Sequence, residues 1–160
     1  MFPFPYRPDV VTAARQSALD PRLLLAVARA ESHFRPDVVS RRGAVGLMQL
    51  TPDTAAWIAG QRRPPAAFVP SELRNPALNL SLGAWYLARL LEDFGGRLPV
   101  AVAAYNAGPT AVAAWLASGA WNGRRQDVDQ IPFPETREFV RRVLANYAVY
   151  RTLYPKAGST

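Results

Sequence analysis

The sequence predicts a single domain that is all-α or mostly α. Apolar residues recur at helical spacing behind prolines and capping side chains, which are the usual signals for the start of a helix. No run of β-branched residues alternates with polar ones, and Asn122-Gly123 lacks such flanks, so this pair indicates only a turn. The 160 residues, 49% of them hydrophobic, suit one domain with a real core.

Each predicted helix has a start signal, a stop signal or both. Asp20, Thr51 and Asn75 are N-capping residues, and each precedes a proline, which is favoured at the first helical position. Glycine favours helix ends because it accepts a left-handed backbone, and three glycines are expected to end helices: Gly60, Gly95 and Gly119. The predicted spans are about 9–19, 21–35, 52–58, 76–94 (the longest), 99–105, 109–117 and 134–151. Segments 61–74 and 121–132 are expected to be irregular.

Composition excludes several classes of function. The chain has no cysteine, which removes disulfides, thiolate catalysis and cysteine-ligated metals. His33 is the only histidine, which argues against a multi-histidine metal site and a Ser-His-Asp triad. No apolar run approaches the roughly 20 residues that cross a membrane, and the start of the chain shows no secretory signal. We therefore expect no stable membrane insertion.

The formal charge of +7 calls for an anionic partner or surface. The arginines are scattered singly and in pairs, and nothing resembles a basic arm, a recognition helix or an RNA-binding signature. We therefore expect no nucleic-acid partner. An acidic polymer such as bacterial cell wall fits the charge equally well.

Glu31 is the most informative residue. It continues an apolar stripe formed by Leu24, Val27 and Ala28 on the second predicted helix. A carboxylate on a buried face is costly unless it keeps its proton or finds a partner, and the helix C-terminus also disfavours negative charge. Both effects favour the protonated carboxyl, which can act as a general acid. The alternative is a salt bridge with Arg137 or Arg141.

Three short clusters combine glycines with polar groups: residues 31–36, 43–52 and 104–109. Glycine allows close backbone approach, and the polar groups make directed hydrogen bonds, a combination that suits the wall of a polar-ligand groove. In these motifs and their order the chain resembles the soluble lytic transglycosylases, which cleave bacterial peptidoglycan with a lysozyme-like catalytic domain. The matching motifs are Glu31-Ser32, Gly46-Leu47-Met48-Gln49, Ala104-Tyr105-Asn106-Ala107-Gly108-Pro109 and Ile131-Pro132-Phe133-Pro134-Glu135-Thr136-Arg137.

The resemblance covers about residues 4–154 and implies a single catalytic domain over 1–160. It implies that Glu31 is the sole catalytic acid/base and that Tyr105 helps to hold it. It also implies a set of substrate-binding residues: Ser40, Met48, Gln49, Tyr105, Asn106, Glu135 and Tyr147. For Tyr147, the nearby Tyr150 is an alternative. The family needs no metal or organic cofactor, binds peptidoglycan glycan strands and acts in the periplasm, cell envelope or outside the cell, and we expect a monomer.

The implied reaction needs one carboxyl, whereas most glycosidases use two. Glu31 would protonate the oxygen between MurNAc and GlcNAc, the 2-acetamido group would stabilise C1, and the glutamate would then deprotonate the 6-hydroxyl to give a 1,6-anhydro end. One alternative is a hydrolytic muramidase of the same fold, with Asp53 or Glu135 as second acid. Another is a non-catalytic wall-binding or phage-tail module.

Several candidate residues also have a purely structural interpretation. Met48 fits core packing as well as substrate contact, Ser40 could cap a turn, and Glu135 could simply complement the dipole of the last helix. Tyr105 could be a core residue, and Asn106 could terminate a helix. By helical position the tryptophans are mostly expected in the core, whereas Trp121 lies in an irregular segment and could stack on a sugar.

Overall fold

A computed structural model describes residues 1–65 and 67–158 of the chain. Over these ranges the structure is built from helices without a β-strand, which confirms the all-α prediction. The α-helices are α1 (Arg7–Gln16), α2 (Pro21–Ser32), α3 (Pro52–Gln61), α4 (Pro76–Asp93), α5 (Leu98–Ala107), α6 (Pro109–Ser118) and α7 (Pro134–Leu153). Short 3-10 helices cover Pro70–Arg74, Arg125–Gln130 and Pro155–Gly158. No helix of the described ranges is long and apolar enough to span a membrane.

The chain forms two compact units. The first contains residues Met1–Tyr86 and the C-terminal segment from Asn146 onward, and the second contains Leu87–Ala145. The chain leaves the first unit within α4 and returns to it within α7. The prediction of one domain over residues 1–160 stays a prediction.

In the first unit, α2 is the central core helix. Nine of its twelve residues are buried, and the Asp20 side chain caps it by accepting from the Arg22 N–H at 2.9 Å, as the sequence predicts. The C-terminal segment returns to this unit: Asn146 Nδ2 donates to the Ala26 carbonyl at 3.3 Å, and the Tyr150 hydroxyl donates to the Pro3 carbonyl at 2.8 Å. These contacts hold the two ends of the chain around α2.

The second unit has a small apolar core that contains Trp115 and Trp121. Trp121 is fully buried, with its indole N–H directed at the Arg124 carbonyl. Trp115 is 8% exposed and makes an edge-to-face contact with Phe133. The alternative that Trp121 stacks on a sugar is therefore wrong, because its indole is fully buried. In the first unit, Trp57 is 48% exposed, which also corrects its assignment to the core.

Several helix boundaries differ from the predictions, and α2 ends at Ser32 instead of continuing to residue 35. α1 begins and ends earlier than predicted, and Gly60 lies inside α3, which continues to Gln61. The longest helix is α7, with 20 residues against 18 in α4. Both segments predicted to be irregular contain a 3-10 helix, although residue 66 of the first segment lies outside the described residues. Gly119 ends α6 as predicted, with φ of 78°.

Candidate active site

Glu31 lies in the last turn of α2 and is half-buried. The preceding residues of its stripe, Leu24, Val27 and Ala28, are fully buried, so this face of α2 packs in the core as predicted. Ser32 follows at the helix end and is 1% exposed. The structure therefore places the Glu31 carboxyl at the point where the core face of α2 reaches the protein surface.

The backbone around Glu31 is strained. His33 and Phe34, directly after α2, have φ of 50° and 62°, and Gln49 has φ of 51°. The left-handed conformation costs a non-glycine residue about 1–3 kcal/mol, and it persists only where the surroundings enforce it. Such strain clusters at functional sites. His33 is exposed and serves as the C-cap of α2, so it turns the chain immediately after the carboxyl.

The loop of residues 38–50, hereafter the site loop, is tied to the end of α2. The Ser32 hydroxyl lies 2.8 Å from the Leu47 carbonyl oxygen and 3.1 Å from that of Ala28. Within the loop, isolated β-bridges pair Val45 with Val39 and with Leu50. The residue next to Glu31 in sequence thus anchors the loop that carries the second motif.

Asn79 of α4 holds the site loop from the other side. It is fully buried; its Oδ1 accepts from the Met48 N–H at 2.7 Å, and its Nδ2 donates to the carbonyls of Val45 and Leu73, both at 2.9 Å. Gly46, with φ of 82°, fits against this amide: a Cβ there would lie 2.5 Å from Asn79 Nδ2. Asn79 is not among the residues predicted from the sequence, although a polar residue four positions before Gly83 on the core face of α4 is a usable signal.

Met48 belongs to the interior of the first unit. Its side chain is fully buried, and it lies so close to Gly83 that a Cβ on Gly83 would be 2.6 Å from Met48 Cγ. The glycine thus allows α4 to approach the site loop. The structure assigns Met48 to packing, and its predicted contact with substrate stays a prediction.

Ser40 and Gln49 are half-buried, and both stabilise the site loop. Ser40 Oγ accepts from the Ala44 N–H at 3.1 Å, which leaves the hydroxyl hydrogen able to donate to a ligand. Gln49 Nε2 donates to the carbonyls of Val38 and Gly46 at 3.1 and 3.0 Å. Since both partners are acceptors, the amide orientation is fixed, and Gln49 Oε1 is the atom with which this residue can bind a substrate donor.

The second unit groups the other predicted residues where α5 ends and α7 begins. Asn106 Oδ1 accepts from the buried Thr136 hydroxyl at 2.7 Å, which leaves the Asn106 amide hydrogens able to donate to a sugar. Tyr105 is half-buried and stacks on Phe139, with ring centroids 6.4 Å apart. Glu135, next to Thr136, is exposed in the first turn of α7. The third and fourth motifs therefore meet in space.

The two arginines proposed as structural partners of Glu31 have partners of their own. Arg137 donates to the Ile131 carbonyl, and the exposed Arg141 forms ion pairs with Asp129 and Glu138. These bonds fasten the segment before α7 to its first turns.

Tyr147 supports the opposite end of α2, roughly 16 Å along the helix from Glu31. Its hydroxyl donates to Asp20 Oδ2 at 2.8 Å. Burial raises the pKa of Asp20, but the bonds from Arg22 and Tyr147 outweigh it, and the pKa of Asp20 lies below its usual 3.8. Burial and the bond to Asp20 raise the pKa of Tyr147. Its predicted contact with substrate stays a prediction; the alternative, Tyr150, is buried, and burial raises its pKa to about 12.

The structure thus brings together Glu31, Ser40 and Gln49 around the site loop, and Tyr105, Asn106 and Glu135 around the start of α7. Across residues 1–65 and 67–158, no three His, Asp or Glu side chains are grouped so that they could ligate a metal ion. In the first unit, the groups available for chemistry are the half-buried carboxyl of Glu31 and the hydrogen-bonding side chains of Ser40 and Gln49.

Comparison with known proteins identifies the family. Residues 10–128 match the family model described as "Transglycosylase SLT domain". The chain belongs to this family. The resemblance seen in the four motifs is therefore confirmed.

Relatives of this SLT domain include soluble lytic murein transglycosylases. The protein of that name from Salmonella typhimurium is 39% identical over 94% of this chain and 23% of its own length. The Escherichia coli K12 protein is 42% identical over 79% of this chain and 20% of its own length. The chain thus spans about a quarter or less of the length of these relatives.

Solved structures of relatives have the same fold. The 70-kDa soluble lytic transglycosylase of Escherichia coli superposes with a TM-score of 0.87 at 35% identity, over 95% of this chain and 25% of its own. A 70-kDa soluble lytic transglycosylase has also been solved in complex with bulgecin A, with a TM-score of 0.87 at 34% identity. An inactive mutant of the lytic transglycosylase Slt from Pseudomonas aeruginosa, in which glutamine replaces a glutamate, has a TM-score of 0.84 at 34% identity, over 95% of this chain and 25% of its own.

Proposed function

We propose that this SLT domain is a peptidoglycan lytic transglycosylase that cleaves the β-1,4 bond between MurNAc and GlcNAc, with Glu31 as the sole general acid/base. The observation that carries the proposal is the half-buried carboxyl at the end of a buried helix face, beside a strained and hydrogen-bonded loop. The names of its relatives support the reaction class, and the inactive glutamate-to-glutamine mutant supports an essential glutamate in one relative.

In the proposed reaction, the protonated Glu31 donates its hydrogen to the glycosidic oxygen while the C1–O bond breaks. The 2-acetamido group of MurNAc stabilises the positive charge that develops at C1. The Glu31 carboxylate then removes the proton of the 6-hydroxyl, whose oxygen bonds to C1. The products are a free GlcNAc 4-hydroxyl and a 1,6-anhydro-MurNAc end, and no water is consumed. The residues proposed to bind the strand are Ser40, Met48, Gln49, Tyr105, Asn106, Glu135 and Tyr147.

Peptidoglycan glycan strands are the proposed partner, and the periplasm or cell envelope is the proposed place of action. The charge of +7 favours an anionic wall polymer. We propose that the domain acts as a monomer, without a metal or organic cofactor.

The test is digestion of purified peptidoglycan in heavy-oxygen water, followed by mass spectrometry of the products. We expect 1,6-anhydro ends without heavy oxygen, because the attacking oxygen belongs to the sugar. Reducing ends that contain heavy oxygen would establish the hydrolytic muramidase instead. Asp53 and Glu135, the candidate second acids of that enzyme, are both exposed in the first turns of their helices.

Glu31→Gln is the decisive variant. A positioned acid/base contributes about 10²–10⁴ in rate, and a sole acid/base at least as much. Glu92→Gln is the matched control, because it makes the same change at an exposed position of α4. If Glu31→Gln keeps its fold and cleaves peptidoglycan as fast as the wild type, Glu31 is not the general acid/base. If the wild-type protein binds glycan strands without cleaving them, it is a non-catalytic wall-binding module and the proposed reaction is wrong.

A further inference from the structure

An exposed group of aromatic side chains lies in the first unit, outside the predicted site. Trp57 of α3 is 48% exposed, although Ala55, Ile58 and Ala59 of the same helix are buried. Its ring makes edge-to-face contacts with two half-buried rings of α4: Trp85, with centroids 6.0 Å apart, and Tyr86, with centroids 6.2 Å apart. We call Trp57, Trp85 and Tyr86 the aromatic shelf.

We propose that the aromatic shelf is an additional glycan-binding subsite, on which a sugar of the strand stacks against Trp57. This proposal rests on the proposed function. The two edge-to-face contacts restrict the Trp57 ring, so less side-chain entropy is lost when a ligand covers it. A large exposed apolar surface that is held rigid is typical of a binding site.

The chemistry of the shelf favours a sugar ring over the other parts of peptidoglycan. An indole presents a flat apolar face, and a β-1,4-linked pyranose presents a flat face of C–H groups to it. The peptide stems carry carboxylates, which arginines would bind, whereas the three shelf side chains are uncharged. By helical spacing, the exposed Gln61 lies one turn from Trp57, and Ser81 lies one turn from Trp85. An amide and a hydroxyl beside an aromatic face suit the hydroxyls at the edge of a sugar.

The shelf and the site loop both adjoin α4. Gly83, which contacts Met48 of that loop, precedes Tyr86 by three residues on α4, or about 4.5 Å along the helix axis. On α3, Trp57 lies at most about 18 Å from Gln49, given the lengths of extended and helical chain between them. A strand of a few sugars bridges that distance. This distance is short enough for one glycan to contact both the shelf and the site loop.

The experiment measures binding of peptide-free glycan strands of several lengths to the Glu31→Gln protein, with and without a shelf substitution. Trp57→Ala is expected to weaken binding of long strands by roughly 3- to 10-fold, the range of one aromatic contact, and to leave binding of the shortest fragments unchanged. Trp57→Phe is expected to restore part of the affinity. Leu153→Ala, which removes a side chain that is 53% exposed elsewhere in the first unit, is the control.

Cleavage assays separate the two proposals. Weaker binding of long strands by Trp57→Ala supports the shelf even if the wild-type protein cleaves nothing, an outcome that defeats only the proposed function. Equal binding and equal KM for long strands in wild type and Trp57→Ala overturn the shelf, even if cleavage is normal. Loss of self-association by Trp57→Ala, with unchanged glycan affinity, also overturns it, because the shelf would then be an interface between copies of this chain.

Discussion

Replacement of Asn79 by aspartate tests whether one buried amide holds the site loop. The wild-type side chain accepts one hydrogen bond, from Met48 N–H, and donates two, to the carbonyls of Val45 and Leu73. A carboxyl of the same shape can still accept from Met48. It has one O–H donor when protonated and none when ionised, so it cannot satisfy both carbonyls at any pH.

The expected loss of stability follows from the number of hydrogen-bond donors that the aspartate lacks. In the protonated form one buried carbonyl loses its donor, which costs about 1–3 kcal/mol. In the ionised form the charge is fully buried and faces two carbonyl oxygens, an environment that can raise a carboxyl pKa by about 3–5 units. At about 1.36 kcal/mol per unit, ionisation adds roughly 4–7 kcal/mol. The sum approaches the whole stability of a typical domain, about 5–15 kcal/mol.

The sign of the pH dependence is fixed by the raised pKa. Stability of Asn79→Asp is best below the unfolded pKa of about 3.9 and falls as pH rises toward the folded pKa. Urea unfolding of wild type and variant at pH 5 and pH 8 measures the effect, and the difference between the two proteins should be several kcal/mol larger at pH 8. An equal difference at both pH values would refute the assignment of the two donated hydrogen bonds.

Two further predictions concern packing and the N-terminus of α2. Gly83→Ala places a Cβ 2.6 Å from Met48 Cγ, so the free energy of unfolding in urea should fall by about 1–3 kcal/mol; an unchanged value contradicts the close contact. Tyr147→Phe removes a hydrogen bond that lowers the pKa of Asp20. That carboxylate stabilises the fold above its unfolded pKa, and the stability is lost as pH falls through the lower folded pKa. Thermal melting between pH 2.5 and 6 should therefore show a smaller loss in the variant on acidification, complete at a higher pH, whereas parallel curves contradict the bond.

Local sequence signals predicted much of the helical framework. Asp20 and Thr51 cap helices as expected, because capping depends on residues within one turn. Glu31 was found by the same kind of reasoning: an apolar stripe with a carboxyl at its end is visible from the helical period alone. Its half-burial agrees with that expectation.

Which side chains the neighbouring elements cover depends on packing between distant parts of the chain. Trp57 was expected in the core but is 48% exposed, whereas Trp121 is fully buried although its irregular segment also allowed a position at the surface. Exposure depends on the segments that pack over a residue and not on its own helix. The bonds of Asn79 to Val45 and Met48 join residues more than 30 positions apart, and no local pattern encodes such partners. Local residue patterns thus predict which segments are helical, where caps lie and which helix carries an unusual carboxyl. The supports of the site loop and the exposure of the aromatic shelf depend on long-range contacts that form only when the chain folds.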